Sequence, residues 1–118
     1  MLVLNNQTRV LIATNPTDMR KSFDALACLA REVIREDPLS GYIFVFLNRN
    51  RNSAKLLQWE DSGFWIHYKR LERGTFKLPI SNSVTNCLEV DAKELSLILE
   101  GIDLNQSTQR VKFIRQNI

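Results

Sequence analysis

Residues Tyr42–Leu47 read YIFVFL, an unbroken run of six apolar side chains. Successive side chains of a strand point to opposite faces, so a strand of this composition has no face to give to water. It belongs in the middle of a sheet covered on both sides. Asp37-Pro38 halts what precedes it and Ser40-Gly41 turns the chain into it. Downstream, the loop Asn48–Ser53 leads to AKLLQWE (Ala54–Glu60), Asp61-Ser62-Gly63 makes a tight turn, and FWIHYK (Phe64–Lys69) completes a three-strand antiparallel meander.

Helical patterns lie on either side of this meander in the chain. Met19, Phe23, Leu26, Ala27, Ala30, Val33 and Ile34 keep to one face, which predicts a helix over 18–35. Thr17, in the turn Asn15-Pro16-Thr17-Asp18, is its expected N-cap. Lys21, Asp24, Cys28, Arg31, Glu32 and Arg35 take the opposite face, and Arg20 flanks the apolar stripe. Thr8–Ala13 (TRVLIA) and Ser83–Val90 (SVTNCLEV) read as further strands. Asp91 and Glu94 have capping-box spacing and open a second helix with Leu95, Ile98, Leu99 and Ile102 inward, closed near Gly101. The segment KRLERGTFKLP (69–79) interleaves bases with Leu71, Phe76 and Leu78 and ends in a proline that limits pairing, so no element is assigned to it. With 118 residues, 44% of them hydrophobic, the chain suits one core. The expectation is a single α+β domain over 1–104, an antiparallel sheet packed with two helices, and a polar basic tail over 105–118.

Charge is unevenly placed. Residues 1–48 balance five bases with five acids, 49–77 carry seven bases against three acids, 87–104 hold five acids and Lys93, and the tail has Arg110, Lys112 and Arg115. Such a division suits one anion-facing surface and one acidic surface, and equally a mixed surface that keeps the chain dissolved. No run approaches the roughly 20 apolar residues of a membrane span. The start MLVLNNQTRVL lacks the basic head and apolar length of a signal peptide, so a cytoplasmic location is expected.

Catalytic and metal patterns are weak. Cys28 and Cys87 stand far apart and share the chain with one histidine, His67, which gives no metal-ligand spacing and predicts reduced thiols. The four glycines are isolated, so no phosphate loop forms, and the acids show no grouping typical of a metal nuclease. His67 alternates with Trp65 and Lys69 on a strand, where a structural role is expected. Neither enzymatic activity nor a cofactor or metal is expected.

The basic stretch also carries Trp59, Phe64, Trp65, Tyr68 and Phe76. Two readings stand: a nucleic-acid surface that holds phosphates by charge and stacks bases, or core rings with a solvated basic rim. The loop Asn48-Arg49-Asn50-Arg51-Asn52-Ser53 bears two arginines and no acid, more charge than a plain turn requires.

Four blocks, TDMRKSFDAL (Thr17–Leu26), DPLSGYIFVFLNRNR (Asp37–Arg51), KRLERGTF (Lys69–Phe76) and LILEGID (Leu97–Asp103), stand in an order that resembles the small TnpB accessory proteins of the IS66 family of insertion sequences. The resemblance runs from about Thr8 to Asp103. Ser22 and Ala25 stand where glycines are usual in that family, Glu60-Asp61-Ser62 replaces a more glycine-rich turn, and Leu78 replaces a tryptophan before Pro79. What it implies is a non-catalytic helper of transposition, acting beside a separately encoded transposase and other accessory proteins, and distinct from the RNA-guided nucleases that share the name. Two molecular roles are compatible with that. One is binding of element DNA through Arg49, Arg51, Lys55, Lys69, Arg70 and Arg73, joined by Arg20 and Lys21 at the first helix start. The other is docking on the transposase through Glu94, Glu100 and Asp103 or through exposed aromatics. Self-association is left open.

Overall fold

The computed structural model describes residues 5–79 and 85–105. Five strands, β1 (Val10–Ala13), β2 (Ile43–Leu47), β3 (Ser53–Glu60), β4 (Gly63–Arg70) and β5 (Cys87–Val90), form one sheet in the order β4-β3-β2-β1-β5. The α+β class holds, with β2 at the centre and every one of its residues buried. The meander β2-β3-β4 is antiparallel, as its turns dictate, and β5 runs antiparallel to β1. β1, however, lies parallel to β2, pairing Val10 with Ile43 and Ile12 with Val45, so the sheet is mixed. A helical crossover separates these two strands and returns the chain to the end from which it started, whereas a hairpin would have reversed it.

That crossover is α1 (Phe23–Leu29), continued by one π-helical turn over Ala30–Ile34 and closed by Arg35 in the left-handed region at φ 64°. The expected start at Thr17–Asp18 is corrected: regular helix begins five residues later, at Phe23. Asp18 accepts from the Arg20 backbone N–H (2.9 Å) and from its guanidinium, and the Lys21 N–H returns to the Asp18 carbonyl (3.1 Å). These local bonds compete with helix and hold 18–21 as a turn. Thr17 is no cap; it is buried, with its N–H on the Leu47 carbonyl at 2.7 Å. Leu26, Ala27, Ala30 and Ile34 face inward as the spacing requires, while Phe23 is 44% exposed at the helix end.

The helix α2 (Ala92–Leu99) matches its expected signals closely. Asp91 accepts from the Glu94 N–H (2.7 Å) and the Glu94 carboxylate accepts from the Asp91 N–H (3.0 Å). At the other end Gly101, at φ 80°, lets its own N–H reach Ile98 and the Ile102 N–H reach Leu97, the bond pair of a Schellman stop. The two helices cover opposite faces of the sheet. Phe44, Phe46, Leu57 and Leu11 pack with Leu26, Ala30 and Ile34 of the α1 layer, and Val10, Ile12, Val45, Leu56 and Val90 pack with Leu95, Ile98 and Phe76 on the other side. The expected strand over Ser83–Val90 is seen from Cys87 onward; Ser83 and Val84, like most of the basic tail, lie outside the described residues.

At the rim, Arg9 ties four segments together. Its guanidinium forks onto Glu89 (2.8 and 2.9 Å), reaches Glu36 (2.8 Å), and lies 4.9 Å from the centre of the Tyr42 ring. Two expected outcomes follow from these features. Replacing Asp91 with Ala should cost about 1 kcal/mol, read as a lower urea midpoint. The hydrogen bonds from Arg9 hold the Glu89 carboxyl below its ordinary value, so the folded protein takes up that proton at lower pH than the unfolded chain. The pair's contribution is therefore complete above the ordinary carboxylate range, shrinks as pH falls through it, and is gone below the lowered value of Glu89. Glu89→Gln should lose less stability than the parent between about pH 7 and about pH 3. The residual loss includes Asp18, held down at about 2 by hydrogen bonds from Arg20.

Candidate nucleic-acid interface

The basic loop between β2 and β3 is built by its asparagines. The Asn48 side-chain oxygen accepts from the Asn52 N–H (2.9 Å) and the Ser53 N–H (3.0 Å), and its amide donates to the Asn52 side chain (2.6 Å). Arg51 sits at φ 55° and sends its N–H to the Asn48 carbonyl (3.0 Å). The loop is also strapped from outside. Segment 71–79, which has no regular secondary structure, anchors on the core through buried Phe76 and half-buried Leu71 and Leu78. From there the Leu71 N–H donates to the Asn52 carbonyl (2.7 Å) and the Phe76 N–H to the Arg51 carbonyl (2.6 Å). The apolar residues spaced through 69–79 were the sequence signal for this strap, which periodicity could not place because no helix or strand carries them.

A cleft of about 620 Å³ separates this loop from the turn before α1, lined by Pro16, Thr17, Asp18, Met19 and Lys21 on one side and Asn48, Arg49 and Asn50 on the other. The bond from Thr17 to Leu47 fixes the two walls at its root. Lys21 and Arg49, 28 positions apart in the chain, thus share one opening. Neither forms an ion pair among the described residues. Arg51 is exposed on the same loop, and the hairpin register sets Lys69 and Arg70 opposite Ala54 and Ser53 at the loop's base, with exposed Arg73 in the strap beyond.

The other expected bases are engaged elsewhere. Lys55 donates its ammonium to the Lys21 carbonyl (2.7 Å) and lies 5.1 Å from the centre of the Tyr68 ring. Arg20 grips Asp18 at 2.6 Å, and Arg70 pairs with Glu72 at 3.0 Å. Exposed pairs of this kind contribute little to folding and exchange readily with another anion. Of the five aromatic residues in the basic stretch, Phe76 is core and Trp59 meets Phe64 edge-on at 5.1 Å. Trp65 and Tyr68 are the exposed ones, at 46% and 57%. Being three apart on a strand, they face opposite sides of the sheet. Tyr68 is on the side of Lys55 and Lys21; Trp65 donates to Glu60 (2.8 Å) and stacks on His67.

The acidic positions do not gather into one patch. Glu94 is taken up in the capping box at the start of α2, Glu100 is exposed at its end, and Asp103 accepts from the Asn105 N–H at 3.0 Å. Burial holds His67 below its ordinary pKa, so it is neutral at pH 7, and its Nε2 has no hydrogen-bond partner among the described residues. Cys28 is exposed on α1, while burial pushes the Cys87 thiol up. Among the described residues no three His, Cys, Asp or Glu side chains converge, and no helix is long and apolar enough to cross a membrane.

Comparison with known proteins bears on this arrangement. The family model described as IS66 Orf2 like protein matches residues 8–109. The uncharacterized protein y4hO of Sinorhizobium fredii is 37% identical over 103 residues, which span 87% of this chain and 88% of that one. A second uncharacterized protein of that organism, y4jC, is 32% identical over 95 residues, 80% of each chain. No solved structure matches.

The loop geometry has a direct test in two substitutions with opposite expected signs. Asn48→Ala removes an acceptor for two backbone N–H groups and should destabilise the fold by about 1–3 kcal/mol in urea unfolding. Arg51→Gly relieves a left-handed backbone position and should be neutral or stabilising by up to ~1 kcal/mol.

Proposed function

The chain belongs to the IS66 Orf2-like family, and from that premise we propose that it is a non-catalytic accessory protein of transposition that holds element DNA by its phosphate backbone. Family membership supports the accessory role. The observation that carries the DNA reading is the cleft in which Lys21 and Arg49 converge beside a loop held rigid from within by Asn48 and from outside by Leu71 and Phe76. A guanidinium on a fixed loop pays little ordering entropy when it forks onto a phosphate. Lys21 supplies a second cation from the opposite wall, and Arg51, Lys69 and Arg73 extend the positive surface around the same end of the hairpin. Tyr68 offers an exposed ring beside Lys55 for an unstacked base. Contacts of this kind position a duplex rather than read its sequence, so sequence choice falls to the transposase. Docking on that transposase through Glu94, Glu100 and Asp103 is less well supported, because the Glu94 carboxylate is already committed within α2.

Reversing both loop charges, Arg49→Glu with Arg51→Glu, should change folding stability by no more than the ~0.5 kcal/mol usual for exposed sites. Titrated against element-end and unrelated duplexes at two salt concentrations, the variant should bind about tenfold or more weakly, with a log–log salt slope shallower by about one unit per lost phosphate contact. Transposition should fall with it. A folded double variant that binds DNA as the parent does and supports normal transposition would show the loop to be a solvated hairpin and sink the DNA reading.

A further inference from the structure

β4 ends the sheet, with β3 on one side and no strand on the other among the described residues. It is a long edge, eight consecutive pairs with β3 and no proline. The Leu71 N–H donates to the Asn52 carbonyl, which extends the same register by one pair and sets the alternation of the ladder. Trp65, His67 and Lys69 therefore exchange their backbone bonds with β3, while the N–H and C=O groups of Phe64, Ile66, Tyr68 and Arg70 point away from the sheet. An unpaired row of this kind is a template for another strand.

Sheet edges are commonly guarded by short length, bulges, proline or a charge in the middle of the strand. β4 has none of these: its charges sit at its ends, and the ends differ in sign. Glu60 and Asp61 stand at the turn before it, Lys69 and Arg70 at its close, and the centre is apolar apart from neutral His67. Trp65 and Tyr68 stand exposed on the two faces beside the edge. We propose that β4 pairs antiparallel with β4 of a second copy of this chain, joining two five-stranded sheets into one of ten strands. A two-fold pairing centred on Trp65 sets the outward groups of Ile66 against those of Phe64 and brings Lys69 and Arg70 of each copy to the level of Asp61 and Glu60 of the other. A parallel pairing of two copies would set like charges together at both ends, so the charge pattern selects the antiparallel arrangement. The Trp65 rings of the two copies meet across the seam, and the two basic loops lie at its opposite ends.

The test uses the full chain without nucleic acid, so its outcome is independent of the DNA reading. Sedimentation velocity from low micromolar to near-millimolar protein should show the mass double. Amide exchange over the same range should show the N–H groups of Phe64, Ile66, Tyr68 and Arg70 slowing as the dimer forms, with those of Trp65, His67 and Lys69 slow throughout. Lys69→Glu with Arg70→Glu should weaken association by about tenfold or more. A monomer at every concentration, a dimer in which the four outward N–H groups stay fast, or a charge-reversed variant that associates as tightly as the parent overturns the proposal. Should that variant fail to fold, the exchange pattern of the parent chain decides alone.

Discussion

The rest of the structure depends on the burial of β2 on both faces. A strand carrying Phe44 and Phe46 on one face and Ile43, Val45 and Leu47 on the other can be stable only where both are dry. One face takes the crossover helix, the other takes α2 and the strap through Phe76. The helical crossover between β1 and β2 is also what makes their pairing parallel, so one demand for cover sets the layering and the strand direction together.

The candidate site is a by-product of how β2 ends. Its last carbonyl, on Leu47, accepts from Thr17, so the turn before the crossover helix is tied to the point where the basic loop begins. Two segments that have no reason to meet by sequence then stand as the walls of one cleft. Asn48, immediately after Leu47, takes up the backbone groups that a tight loop would otherwise leave unpaired. Arg49 and Arg51 are consequently carried on a backbone that needs neither charge for its own stability. Residues that a fold can spare are where binding chemistry is most readily placed.

The charges divide by what holds them. Arg9 is bound into the rim by Glu89, Glu36 and Tyr42. Arg20 and Arg70 have carboxylates two residues away, and Lys55 is spent on a backbone carbonyl. Lys21, Arg49, Arg51, Lys69 and Arg73 keep no acid partner among the described residues and cluster around one end of the β3-β4 hairpin. Net charge conceals this, because the acids that balance the total lie mostly outside 49–77, five of the thirteen before residue 48 and five within 87–104.

The sequence by itself determined the elements whose signals are local. The two-faced apolar run required a central strand, the Asp61-Ser62-Gly63 turn required a hairpin, and Asp91 with Glu94 and Gly101 set the two ends of α2. These depend on alternation, turn chemistry and bonds between residues a few positions apart, all present in the chain before it folds. At Asp18 the local signals compete, and its bonds with Arg20 move the helix start from the expected position to Phe23. Only the tertiary structure decided that β1 runs parallel to β2, that Leu71 and Phe76 strap the basic loop, and which of the bases keep their charge unpaired. Each of those depends on contacts between segments far apart in the chain, and neither period nor composition records which distant carbonyl an N–H will find or which arginine will meet an acid.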